Sequence, residues 1–110
     1  MATADVEIDI FSGRPNPTWT LSDTQTASLL EMVAGLPQSE AGPAPDHLGY
    51  RGMIVRLHDA VAREVAVHNG VVVVNGTSRA DPERRIERWL LQTGRGSVEQ
   101  STYDFVEGEL

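Results

Sequence analysis

The clearest alternation of apolar and polar residues lies near the start of the chain. Val6, Ile8 and Ile10 alternate with Glu7 and Asp9, the two-residue period of a half-buried strand with its apolar side toward a core. Ser12-Gly13-Arg14-Pro15-Asn16-Pro17 ends it, because its two prolines fix φ and cannot donate to a ladder. Past Trp19 the period becomes helical. Ser22 and Gln25 have the spacing of a capping box. Ala27, Leu30, Val33 and Ala34, flanked by Leu29 and Met32, form a stripe that Gly35 and Pro37 close. Residues 39–49, with two prolines and two glycines, read as a connecting loop.

A three-stranded meander follows. Residues 53–57 and 64–68 are β-prone runs, and Asn69-Gly70 joins the second to Val71–Val74. An Asn-Gly pair between such runs is the preferred two-residue type I′ hairpin, since both positions need φ > 0. That turn sets His68 opposite Val71, Val67 opposite Val72 and Val65 opposite Val74, with the four valines 65, 67, 72 and 74 on the core face. Matching the preceding strand to that face places Val55 opposite Val67 and Leu57 opposite Val65. The other face carries Ala66, His68, Val71 and Val73, which is apolar enough to expect a cover or a second copy. A second helix begins at the N-cap Asp81, with Pro82 at its first position and Glu83 in its first turn. Ile86, Trp89, Leu90 and Thr93 form its buried stripe and Gly94 its stop, while Arg84, Arg85 and Arg88 read as a solvated face. In the tail, Tyr103 and Phe105 alternate with Thr102 and Asp104, the pattern of a short edge strand.

The predicted fold is therefore α+β: one mostly antiparallel four-stranded sheet packed with two helices, in the order β-α-β-β-β-α with a short C-terminal strand. Residues 1–96 form one domain, and 97–110 an acidic tail that docks along a sheet edge.

Composition narrows the function. The chain has 110 residues, 40% hydrophobic and 23% charged, with a formal net charge of −7 and no cysteine. One domain of this size buries roughly two thirds of its unfolded surface without disulfide or metal. The acidic balance argues against nucleic acid and anionic membrane as partners, both of which are bound through basic groups. No apolar run approaches a membrane span, and the opening Met-Ala-Thr-Ala-Asp-Val-Glu lacks the plan of a secretory signal. The expectation is a cytoplasmic protein. All nine basic residues are arginine, which codon usage in a GC-rich bacterial genome explains. Without Lys or Cys, Schiff-base, phosphate-loop and thiol chemistry are excluded within this chain.

The remaining chemistry is sparse. His47, His58 and His68 show no metal-ligand spacing, and the strand register sets His58 and His68 roughly 13 Å apart, so no metal or cofactor is expected. Glu7 and Asp9 are same-face neighbours whose repulsion would raise one pKa; the plain account is the charged outer face of an edge strand. No GxSxG elbow or complete GxGxxG is present. Two loops are richer than a connection requires: Arg14, Asn16 and Trp19 on a proline-stiffened frame, and Tyr50 and Arg51 between glycines. Stiff loops with such residues suit recognition, because little entropy is lost on binding.

With the first strand parallel to the second, chain direction gathers the 12–21, 58–63 and 76–81 connections at one sheet end. Arg14, Asn16, Trp19, His58 and Arg79 then form a ligand site beside a helix N-terminus. Tyr50, Arg51 and His68, at the opposite end, are the second candidate set. The expected function is a small binding or accessory module for a small anionic ligand or a peptide, with homodimerisation through the Val-rich face. A cofactor-independent isomerase, cyclase or lyase is one alternative. An interaction module using the acidic tail or the Val-rich face is the other.

Overall fold

A computed structural model describes residues 3–11, 13, 15–39, 49–58, 63–74 and 76–110. Its strands are β1 (Thr3–Ile8), β2 (Thr18–Leu21), β3 (Met53–His58), β4 (Arg63–His68), β5 (Val71–Val74) and β6 (Thr77–Ala80). Its α-helices are α1 (Asp23–Ala34), α2 (Arg85–Thr93) and α3 (Gln100–Glu109), with a single 3-10 turn at Pro82–Arg84 before α2. All strand pairs are antiparallel, in the spatial order β2-β1-β3-β4-β5-β6. The α+β class stands, with six strands and three helices among the described residues in place of four and two.

Each difference has a local cause. β2 has only four residues, too few for a period to register behind Pro15 and Pro17, yet it pairs Leu21 with Ala4 and Thr18 with Glu7. β6, with the sequence TSRA, carries no apolar alternation and is held by its ladder to the valines of β5. The tail is helix α3, not an edge strand. Tyr103 and Val106, three residues apart, are buried together, whereas Phe105, needed inside by the strand pattern, is exposed.

The Asn69-Gly70 turn is as expected, with φ of 51° and 84°, and it sets the β4–β5 register as read from the sequence. The β3–β4 register is slipped by two residues from expectation: Val55 faces Val65 and Met53 faces Val67. A slip of two keeps every side chain on its face, so the core is unaffected. Ala4, Val6, Ile8, Leu21, Met53, Val55, Leu57, Val65, Val67 and Val72 form one sheet face, and they cluster with Leu29 and Val33 of α1, Ile86, Leu90 and Leu91 of α2, and Val106 of α3. Val74, Leu30 and Trp89, expected at the centre, pack at its margin. No described helix crosses the opposite face, and none is long and apolar enough to span a membrane.

The strand direction decides where the loops go. β1 is antiparallel to β3, with Ile8 opposite Met53, so the connection after β1 lies beside the start of β3 and the β4–β5 turn. β6 carries the chain back to that same end, since Val71 pairs with Ala80. The parallel arrangement that would have joined this connection to the 58–63 turn is therefore not formed.

Candidate functional site

The first candidate set does not converge. Arg14 lies outside the described residues. Asn16 serves the loop itself: its Oδ1 accepts from the N–H of Ile10 and of Phe11 at 3.1 and 2.8 Å, and its Nδ2 donates to Glu7 at 2.8 Å. Trp19 is core, its indole N–H donating to Thr93 Oγ1 at 2.8 Å. His58 sits at the far end of the sheet, 2.7 Å from Asp5. Arg79 donates to the carbonyl of Leu36 at 3.0 Å, tying β6 to the end of α1. The α2 N-terminus is occupied by Asp81, whose buried carboxylate accepts from the N–H of Ile86 at 2.9 Å and of Glu87 at 3.2 Å.

The acidic residues along β1 and just after it are not a repelling pair. β1 is an interior strand, and each carboxylate has its own partner: Asp5 with His58, Glu7 with Arg56 at 2.7 Å, Asp9 with Arg51 at 2.9 Å. Hydrogen bonds from Asn16 and Arg56 hold the Glu7 carboxyl below its ordinary range, the reverse of the shift expected from two adjacent acids.

Tyr50 and His68 do come together, around a residue the sequence did not single out, while Arg51 is paired with Asp9 instead. Glu87 is 0% exposed, and both its oxygens are occupied. Oε1 accepts from Arg84 Nε at 2.8 Å and from the N–H of Asn69 at 3.0 Å. Oε2 accepts from the Tyr50 hydroxyl and from Arg84 Nη2 at 3.0 Å, and lies 3.4 Å from His68 Nδ1. Burial alone would raise its pKa, but the Arg84 and Tyr50 hydrogen bonds outweigh it and hold the carboxyl low. Burial and the Glu87 charge push the Tyr50 hydroxyl far up, so it is a donor at neutral pH. The Tyr50 and His68 rings meet edge to face, with centroids 5.3 Å apart.

Two backbone features build this arrangement. Gly52 has φ of 107°, and a Cβ there would lie 2.7 Å from His68 Cβ and from the Val67 carbonyl; its bareness lets His68 pack across the start of β3. Glu83 and Arg84 both take left-handed backbone, φ 59° and 56°, and the chain re-enters α2 with the Arg84 guanidinium on Glu87. Arg84 also donates to the Glu109 carbonyl at 2.9 Å, so it is half-buried and structural, not part of a solvated face. The signal that could have found this pair is helical spacing: Glu87 lies on the stripe of Ile86, Leu90 and Leu91, three residues from an arginine.

On the helix-free face, the same sheet end holds a hollow of about 180 Å³. Ile54, Ala66, Val71 and Val73 line it, with Arg51, Asp9 and His68 at its margin. Arg51 also donates to Asp9 and to the Phe11 carbonyl. A wider cleft of about 1050 Å³ lies between α1 and α2, bordered by Glu31, Met32, Glu83, Arg85, Arg88 and Trp89. Its charges alternate in sign and Arg88 is spent on the carbonyls of Glu83 and Leu110, so the hollow is the better-defined site. Among the described residues no group of His, Asp and Glu could hold a metal ion. The chain matches no known protein family, no curated protein and no solved structure.

Proposed function

We propose that this protein is a small binding module that takes a small apolar carboxylate, free or at the end of a peptide, in the hollow on the helix-free face. The observation that carries this reading is that Arg51 and His68 line one apolar depression, with Asp9 paired to Arg51 beside them. An apolar floor with a few convergent polar groups is the ordinary plan of a ligand site. Both side chains already have protein partners, and the ligand carboxylate would join them as a further acceptor. With about 30 Å³ per water, the volume suits a ligand the size of about six waters. Glu87 and Tyr50 would then act behind the site, holding the His68 ring in place.

A panel of short aliphatic and aromatic monocarboxylates, each paired with its amide, tests this by thermal shift. The expected result is stabilisation by the acids and none by the amides, lost in Arg51→Met and in His68→Ala. Equal response to acid and amide, or a response unchanged in both variants, would remove the reading. The Glu87–His68 contact also favours a second reading, proton transfer to or from a bound acid by His68. Solvent deuterium appearing at a carbon of the recovered ligand, not at its freely exchanging carboxyl, would distinguish turnover from binding.

A further inference from the structure

The two edges of the sheet are finished differently. Along β6 the chain covers its own edge: the Ser39 N–H donates to the Ser78 carbonyl at 3.0 Å and the Ala80 N–H to the Pro37 carbonyl at 2.9 Å, with Gln38 bridged to Arg79. β2 has no such cover among the described residues. The register shows where its backbone groups point. The Ile8 N–H donates to the Pro17 carbonyl at 3.0 Å. Ile8–Pro17, Val6–Trp19 and Ala4–Leu21 are thus the hydrogen-bonded pairs of this ladder. Thr18 and Thr20 fall in the alternate pairs, with N–H and C=O directed away from β1. On the other side of β1, the Asp9 N–H donating to the Gly52 carbonyl gives the same parity. Thr18 and Thr20 are exposed, and Thr18–Leu21, though short, contains no charge and no proline, two of the usual devices for blunting an edge.

We propose that the outer edge of β2 pairs with the β2 of a second copy of this chain, antiparallel across a two-fold axis at Trp19. A two-fold contact needs one patch that complements itself, and this edge does. With Trp19 at the axis, Thr18 of each copy faces Thr20 of the other, and both outward N–H groups and both outward carbonyls of each copy are paired. The threonines form cross-strand pairs on the helix-free face, a favourable combination, while the tryptophans meet on the core side. Other registers fail. A shift by one sets threonine against tryptophan on opposite faces. A shift by two toward α1 sets Thr18 against Ser22, whose N–H is bonded to Gln25 Oε1 and whose carbonyl accepts from Thr26. A shift the other way sets Thr20 against Asn16, between Pro15 and Pro17.

Thr20→Pro tests this, because the N–H it removes points outward and serves no bond within the chain; Thr20→Val, which loses only the hydroxyl bond to Asp5, should stay dimeric. Sedimentation of the native protein should give twice the mass of the chain, and Thr20→Pro the mass of the single chain with an unchanged far-ultraviolet spectrum. A native protein that stays monomeric up to millimolar concentration overturns the proposal, as does a dimer that survives Thr20→Pro. Should Thr20→Pro fail to fold, the absence of native cysteine allows a second measurement. Thr18→Cys and Thr20→Cys proteins should form an intermolecular disulfide only when mixed. No cross-link on mixing, or one formed by either alone, overturns the proposed register.

Discussion

Gly94 lies against the indole of Trp19, so close that a Cβ on it would stand 2.7 Å from ring atoms Cε2 and Cζ2. Its φ is −88°, which any residue adopts. Glycine is needed here for space, to let the end of α2 seat on β2 while Thr93 accepts the indole N–H.

Gly94→Ala should therefore destabilise the fold by about 1–3 kcal/mol, the usual cost of overpacking a tight contact. Its near-ultraviolet circular dichroism should change as the indole shifts. Urea denaturation reads the first effect. A loss under about 0.5 kcal/mol with an unchanged spectrum would show that the ring has room.

Removing the buried carboxylate should be far more costly. Glu87→Ala leaves the Tyr50 hydroxyl, the Asn69 N–H and the Arg84 guanidinium without their acceptor. Breaking one side of a buried charged network costs about 3–5 kcal/mol. Tyr50→Phe, which removes one donor, should cost about 1.5–3 kcal/mol. Equilibrium unfolding of both variants checks the order, and a reversed order would contradict the network.

The same pair sets the pH range of stability. The Glu87 carboxyl, raised by burial but lowered further by Arg84 and Tyr50, lies below its ordinary 4.5 in the folded chain. Its contribution is complete above 4.5 and lost as pH falls below it, because the unfolded chain takes the proton first. Tyr50 is shifted upward from 10.0 by burial and by Glu87. Its contribution is complete below 10.0 and falls as pH rises past it, because the unfolded chain releases the proton first. Urea midpoints should form a plateau between these limbs. Tyr50→Phe should flatten the alkaline limb; a limb of unchanged slope would mean that another group causes it.

Glu83 should tolerate glycine better than glutamate. Its side chain is exposed, and its φ of 59° is left-handed. A non-glycine residue there costs roughly 1–2 kcal/mol, offset in part by the greater freedom of unfolded glycine. Glu83→Gly should raise the melting temperature by a few degrees. A fall would show that the turn is held by the side chain and not merely endured.

Some of this protein was legible from local pattern. Ser22 and Gln25 form both bonds of the capping box, and Asn69-Gly70 makes its hairpin with the register read from the turn, because these are decided by residues within a few positions of one another. Val6, Ile8, Val65, Val67 and Val72 are buried as alternation predicts. Asp81 still accepts from the first N–H groups of α2, although through an intervening turn.

What pattern could not reach were choices made between distant segments. β2 and β6 are too short or too polar to announce themselves, and exist because a neighbouring strand satisfies their backbone. The direction of β1 relative to β3 is a tertiary choice, and it moved Asn16 away from His58 and toward Tyr50 and His68. Tyr103 and Val106 prevail over the alternation of Tyr103 and Phe105 because α3 has α2 to pack against. Glu87 became the centre of the site only once the fold had removed it from water and brought Tyr50, Asn69 and Arg84 to its oxygens. Its sequence neighbours set the helix; Arg84 three residues away and Tyr50 37 residues away together hold its charge.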